Sequence, residues 1–227
     1  MTTDVAARLQ AVLARIRAAE QRFGRAPESV RLAVSKTQPS AAVATAAAAG
    51  QTRFGENYVQ EALDKMPELA TFALEWHFIG PIQANKTRPV AERFAWVHGV
   101  DRAKIAERLN AQRPTDLPPL NVCLQVNIDR QASKRGADEL EALAVARAVA
   151  ALPRLRLRGL MAMPAPASAF AGQREPLARL RQLQERLIAE GLALDTLSMG
   201  MSDDLEAAIA EGSTLVRIGT AIFGPRA

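Results

Sequence analysis

The sequence predicts one closed barrel of alternating parallel strands and helices, the (β/α)8 or TIM barrel. Three observations carry this expectation. The chain has 227 residues, and such barrels run to about 250 residues with a floor of roughly 200. Hydrophobic residues make up 48% and charged residues 23%, the balance of a chain with a real core. Short strand-like runs alternate with helical stretches about eight times, the pattern of an α/β fold with a parallel sheet. The expectation is therefore one domain over residues 1–227, with 1–24 as an amphipathic helix packed on the barrel.

The elements follow in order. Val30 to Lys36 reads as the first strand, and Pro39-Ser40 opens an Ala-rich helix that stops near Gly50. Thr52 to Gly55 is a second strand, followed by a helix from Asn57 to Met66. Glu75 to Ile79 is a third, with a helix from about Ala84; Trp96 to Gly99 is a fourth, with Asp101 as the cap of the next helix. Asn121 to Asn127 is the clearest strand, and a helix is expected from Asp138 to Ala151. Leu155 to Met163 is a sixth strand, with a helix from Glu175 to Glu190. Thr196 to Met199 is a seventh, with Asp203 starting a helix. Leu215 to Ile218 closes the series, before a short turn or helix at Ala221 to Phe223. A doubly wound open sheet is the competing architecture. It lacks the G-x-G-x-x-G that should follow its first strand, and no Walker A lysine motif is present.

Composition excludes several functions. The net charge is +5, from 29 basic and 24 acidic residues, without the long runs of one sign that mark a nucleic-acid tail. Aromatics are 4%, too few for a base-stacking platform. The one cysteine, Cys123, lies in an apolar run and reads as a core residue. With it, His77 and His98 do not make a convincing zinc site. No signal peptide and no run long enough to span a membrane is evident. The expectation is a cytoplasmic protein that binds neither metal, nucleic acid nor membrane, and a monomer rather than a dimer.

Barrel chemistry sits at the C-terminal ends of the strands. Lys36 ends the first strand, and by period two it shares a side with Leu32 and Val34. If that side faces the interior, burial lowers the amine's pKa and equips it to form a Schiff base. Position alone does not separate this from an ordinary strand-end lysine. Gly200 and Gly219 follow the seventh and eighth strands, with Ser202 and Thr220 close by. Barrels often bind phosphate there, although glycines also serve simple turns. An amine opposite a phosphate cup suits one ligand in particular: pyridoxal 5′-phosphate, which carries an aldehyde and a phosphate on one flat ring. Gln83 and Asn85 lie beyond the third strand as further polar candidates.

Seven stretches make the sequence resemble a known family: AVSKT at 33–37, FGENYVQE at 54–61, WHFIGPIQANK at 76–86, VNIDRQASKRG at 126–136, GLMAMP at 159–164, SMGMSDD at 198–204 and VRIGTAIFG at 216–224. The family is that of the pyridoxal phosphate homeostasis proteins, related to the barrel domain of alanine racemases. The resemblance implies that Lys36 carries the cofactor as a Schiff base. It implies that Ser202, Gly219 and Thr220 hold the phosphate with Met201 nearby, that Arg217 faces the pyridine nitrogen, and that Asn57 lies close to the ring. It also implies a role in cofactor supply without robust catalysis. One departure is Gln131, where the family often has an acidic residue before its Ser-Lys pair, here Ser133-Lys134. Lys134 is read as a surface lysine, with a second anion or cofactor contact as the alternative.

The residues bear on catalysis independently. Arg217 cannot take a proton, so a pyridine nitrogen facing it stays unprotonated and the ring is a weaker electron sink. Two-sided proton transfer needs groups on both ring faces. The sequence offers Lys36, the lone tyrosine Tyr58, whose direction it does not give, and His77, read as a satisfied core residue. The first expectation is a protein that holds the cofactor and hands it to apo-enzymes. The alternatives are a low-activity amino-acid racemase, or a barrel for another phosphorylated metabolite with Lys36 as a plain cation.

Overall fold

The computed structural model describes residues 2–26, 30–131 and 134–225. Ala132 and Ser133, in the loop that carries the Gln131 departure, lie outside the described residues. The first half of the chain runs α1 (Thr2–Arg22), β1 (Val30–Val34), α2 (Ser40–Ala48), β2 (Arg53–Glu56), α3 (Val59–Glu68), β3 (Glu75–Phe78), α4 (Thr87–Arg93) and β4 (Trp96–Val100). The second runs α5 (Ala103–Gln112), β5 (Leu120–Gln125), α6 (Ala142–Ala150), β6 (Leu155–Met161), α7 (Phe170–Ala189), β7 (Thr196–Ser198), α8 (Leu205–Ala210), β8 (Leu215–Ile218) and α9 (Thr220–Phe223). The eight strands form a closed parallel barrel in chain order. Leu32 pairs with Arg217 where β1 meets β8 and shuts it.

Alternation along each strand sorts the side chains. Ala33, Phe54, Trp76, Phe78, Val97, Val216 and Ile218 point outward into one large core under the helices. Leu32, Val34, Ile79 and Leu215 form a small apolar cluster in the lumen. Trp96, Cys123 and Met161 form another. Burial pushes the Cys123 thiol up to about 12, which keeps it protonated and inert. The N-terminal helix packs against α2, α8 and α9. No helix among the described residues is long and apolar enough to cross a membrane.

Several helix starts differ from the sequence expectation, three of them for a local reason. Asp101 does not cap α5: its carboxylate is taken by Arg102 Nη1 at 2.7 Å, and Arg102 occupies the cap position without a side-chain bond. Asp138 does not open α6. Its side chain accepts the Leu140 N–H at 2.8 Å, a local turn that competes with helix, and Ala142 becomes the first helical residue. In contrast α7 starts earlier, at Phe170, and carries Pro176 inside it. Phe170 stacks on Phe23 with ring centroids 5.9 Å apart, so tertiary packing extends the helix past a residue that suits a helix start. Asp203 likewise precedes α8, whose cap position is Asp204.

Candidate functional site

A cavity of about 180 Å³ lies at the C-terminal ends of β1, β2 and β8. Lys36, Asn57 and Arg217 line it from the strand ends. Met201, Ser202, Gly219 and Thr220 line it from the loops after β7 and β8. All seven residues singled out in the sequence therefore meet at one place. Val34, which shares the Lys36 side of β1 by period two, also contributes to the walls, as do Gln38, Ile79, Met163 and Asp203, which no separate signal in the sequence marks. Gln83 and Asn85 are exposed and do not line this cavity.

Lys36 lies just beyond β1, in a turn held from both sides. The Lys65 ammonium donates to the Ser35 carbonyl at 2.8 Å. Thr37 sits at φ +63°, the left-handed region that bulky L residues avoid. Its N–H donates to Glu61 Oε1 at 2.5 Å, and Lys65 binds the same oxygen at 2.5 Å. Lys65 also donates to Glu56 Oε1 at 2.9 Å, as does Ser35 Oγ at 2.7 Å. Burial raises the Glu56 pKa, opposed by Ser35 and Lys65. The peptide units on both sides of Lys36 are thus clamped by one buried network. Sequence reasoning did not find Lys65; the i, i+4 spacing of Glu61 and Lys65 on α3 was the available signal.

The opposite wall is built from tight loops. Gly200 has φ +95°, and a Cβ there would stand 2.4 Å from the Ala208 Cβ. The Met201 N–H donates to Asp204 Oδ1 at 2.6 Å, which fixes the loop that presents Ser202. Gly219 precedes α9, whose opening N–H groups have no acceptors within the helix. Hydroxyls, backbone N–H groups and a nearby cation form a donor set suited to a phosphate.

Arg217 joins the two walls. It is 4% exposed. Nη1 donates to the Ser198 carbonyl at 2.6 Å and to Ser198 Oγ at 2.9 Å, and Nη2 to the Ala162 carbonyl at 2.9 Å. Burial draws its pKa down to about 10, so it remains a cation at neutral pH. These bonds use three of five guanidinium N–H groups, and the residue still lines the cavity. On the near side Asn57 Oδ1 is buried with no hydrogen-bond partner among the described residues. A buried polar atom left unsatisfied beside a cavity is a mark of a missing ligand or water. Amine, phosphate donors, a buried cation and an open amide acceptor together fit pyridoxal phosphate.

Two doubtful residues acquire definite places. Tyr58 is 57% exposed and is not part of the cavity wall. Lys134 is part-buried and donates to Asp129 Oδ2 at 2.9 Å and to the Met163 carbonyl at 3.0 Å. It latches two loops and lines a neighbouring groove with Ile79, Asn127 and Arg135, which corrects its reading as a plain surface lysine. The Gln131 N–H donates to Asn127 Oδ1 at 3.2 Å; the loop closes on an amide, with no carboxylate at 131.

The closed parallel barrel, with a cavity at its strand ends lined by a lysine, an arginine and the loops after β7 and β8, defines a class, the (β/α)8 binding barrels. The chain belongs to the alanine racemase N-terminal domain family, whose model matches residues 7–227, and within it to the pyridoxal phosphate homeostasis proteins. The protein of that description from Pseudomonas aeruginosa is 62% identical over 225 residues, covering 99% of this chain and 96% of its own. PipY of Synechococcus elongatus PCC7942, solved with PLP bound, is 37% identical with a TM-score of 0.84, and the match covers 97% of this chain and 100% of that one. Alanine racemase of Corynebacterium glutamicum matches at 20% identity and a TM-score of 0.70 over 96% of this chain but 61% of its own. That likeness is one of fold.

Proposed function

We propose that this barrel, as one domain over residues 1–227, binds pyridoxal 5′-phosphate in the described cavity. It holds the cofactor by a Schiff base to Lys36 and releases it to apo-enzymes in the cytoplasm. The observation that carries this reading is the convergence of Lys36, Arg217 and the Ser202–Thr220 loops on one cavity. Ser202, Gly219 and Thr220 take the phosphate beside Met201, Asn57 borders the ring, and Arg217 faces its nitrogen. When bound, the cofactor supplies an aldehyde carbon and an electron-withdrawing ring. Arg217, a cation that only donates, leaves the ring nitrogen unprotonated and the ring a weak electron sink. The clamp on Ser35 and Thr37 orients the Lys36 amine.

The same geometry favours a carrier over a racemase. Two-sided proton transfer needs a second group across the ring. Tyr58 is exposed away from the cavity wall, and both histidines are committed in the lumen. Three measurements test the reading. Protein loaded with pyridoxal phosphate should show a visible band that borohydride fixes onto Lys36, and Lys36→Ala should abolish it while the far-ultraviolet circular dichroism is unchanged. Loaded protein should reactivate an apo-enzyme. Racemase, transaminase or decarboxylase turnover within the usual enzyme range of roughly 1–10³ s⁻¹, lost in Lys36→Ala, would overturn the carrier reading in favour of the racemase.

A further inference from the structure

The lumen beneath Arg217 holds a continuous chain of polar side chains. Arg217 Nη1 lies 2.9 Å from Ser198 Oγ. Ser198 Oγ lies 2.7 Å from His98 Nδ1. His98 Nε2 lies 3.0 Å from His77 Nδ1, and His77 Nε2 lies 3.0 Å from Glu75 Oε1. His77, His98 and Ser198 are each at most 1% exposed. Glu75 starts β3, so the chain ends at the N-terminal face of the barrel, where Arg53 Nε also donates to the carboxylate at 2.9 Å. A solvent-open cavity lies there, lined by Glu75, His77, Trp96 and Arg158 among others. The relay thus runs from the floor of the barrel to the candidate site.

Its direction follows from valence. A guanidinium only donates and an ionised carboxylate only accepts. Ser198 Oγ therefore receives from Arg217. With both imidazoles neutral, the His77 Nε2–H that Glu75 requires leaves Nδ1 of His77 and then Nδ1 of His98 as acceptors, so the Ser198 hydroxyl donates to His98 Nδ1. His98 then carries its proton on Nε2 and donates to His77 Nδ1. His77 carries its proton on Nε2 and donates to Glu75. The opposite polarity would load both nitrogens of His77 and place a cation in the core, which burial opposes. Every link thus points one way, from the buried cation to the distant carboxylate. Aligned bonds of this kind polarise one another in a low-dielectric interior.

We infer that Glu75, His77, His98 and Ser198 form a one-way hydrogen-bonded relay that orients and polarises Arg217 from the opposite end of the barrel. Glu75 is then a positioning residue for the cofactor ring although it lies across the lumen. That last step rests on the proposed placement of the ring nitrogen against Arg217; the relay itself does not. Ser198 holds the join, since it takes Arg217 Nη1 on both its carbonyl and its hydroxyl.

The test starts on the protein without added cofactor. Nitrogen-15 NMR of labelled histidines at pH 8 should find both rings neutral with the proton on Nε2. A proton on Nδ1 of either ring, or a doubly protonated His77, overturns the relay. Glu75→Gln keeps an oxygen for His77 but removes the charge, and should move the Arg217 guanidinium resonances; unmoved resonances also overturn it. With pyridoxal phosphate added, Glu75→Gln should shift the visible maximum and weaken binding roughly 10-fold, equivalent to about 1.4 kcal/mol, without lowering the borohydride-fixed yield on Lys36 at saturation. A spectrum that answers to Arg217→Gln but ignores Glu75→Gln refutes the reach of the relay to the site. If the Arg217 resonances move and the spectrum ignores both variants, the relay stands and the placement of the ring falls.

Discussion

The Lys65 ammonium donates to the carbonyl of Ser35 at 2.8 Å, so a buried cation holds the peptide that leads into Lys36. The same nitrogen neutralises Glu56, which is wholly buried. Its removal strands that carboxylate, and breaking one side of a buried pair typically costs about 3–5 kcal/mol. Lys65→Met is expected to lower the urea midpoint by a corresponding amount. Lys65→Met combined with Glu56→Gln should recover part of the loss. Additive losses in the two single variants would show that the pair is not coupled.

The Gly200 backbone is a second point of strain control. Its positive φ, and the 2.4 Å at which an added methyl would meet Ala208, exclude a side chain. Its carbonyl accepts the Arg217 N–H at 2.9 Å. Gly200→Ala should cost about 1–3 kcal/mol in stability and weaken inorganic phosphate and pyridoxal phosphate together, measured by calorimetry. Weakened cofactor binding with intact phosphate binding would move the phosphate site elsewhere.

Arg217→Glu is expected to change the visible spectrum of bound pyridoxal phosphate by allowing the ring nitrogen to hold a proton. It also sets a carboxylate against the Ser198 and Ala162 carbonyls that Arg217 now serves. Arg217→Gln, which keeps donors, separates the two effects. It should fold and lose about 1.5–3 kcal/mol of binding, the worth of a charged hydrogen bond, or roughly 10- to 150-fold in Kd. Unchanged affinity and spectrum in both variants would place the ring away from Arg217.

The buried histidines make the barrel acid-sensitive. Burial holds the pKa of both His77 and His98 below the ordinary imidazole value, His98 well below it. Between the unfolded value of 6.5 and the folded values, the unfolded chain binds more protons than the native one. Stability is therefore highest above pH 6.5 and falls as the pH drops, by up to about 1.4 kcal/mol per pH unit for each histidine. Glu75 adds the same sign lower down. Hydrogen bonding to His77 draws its pKa to about 2 from 4.5, so its contribution is present above 4.5 and is lost as the pH falls through about 2. Urea midpoints measured from pH 7.5 to 5 should decline, less steeply in His98→Gln. A flat profile would mean that the imidazoles are not held neutral by the fold.

Much of this molecule is legible in its residues. The eight-fold alternation gives the barrel, because strand and helix periods leave different apolar spacings and turn residues mark each change. Lys36, Ser202, Gly219 and Thr220 drew notice by their places at strand ends, where barrel chemistry collects; Asn57, Met201 and Arg217 were given roles by the family resemblance, and all seven line one cavity. Helix starts were less so: Asp101 and Asp138 suit a cap, and only their actual partners, Arg102 and the Leu140 N–H, show that they serve elsewhere. The clamp and the relay belong to tertiary structure alone. Lys65 meets Ser35 across 30 residues and His98 meets Ser198 across 100, and closure of the sheet sets those distances. Period two set Lys36 on one side with Leu32 and Val34; the structure turns His77, His98, Ser198 and Arg217 into the lumen as well, and which of them touch depends on the strand register around the lumen, a property of the closed barrel and of no single strand.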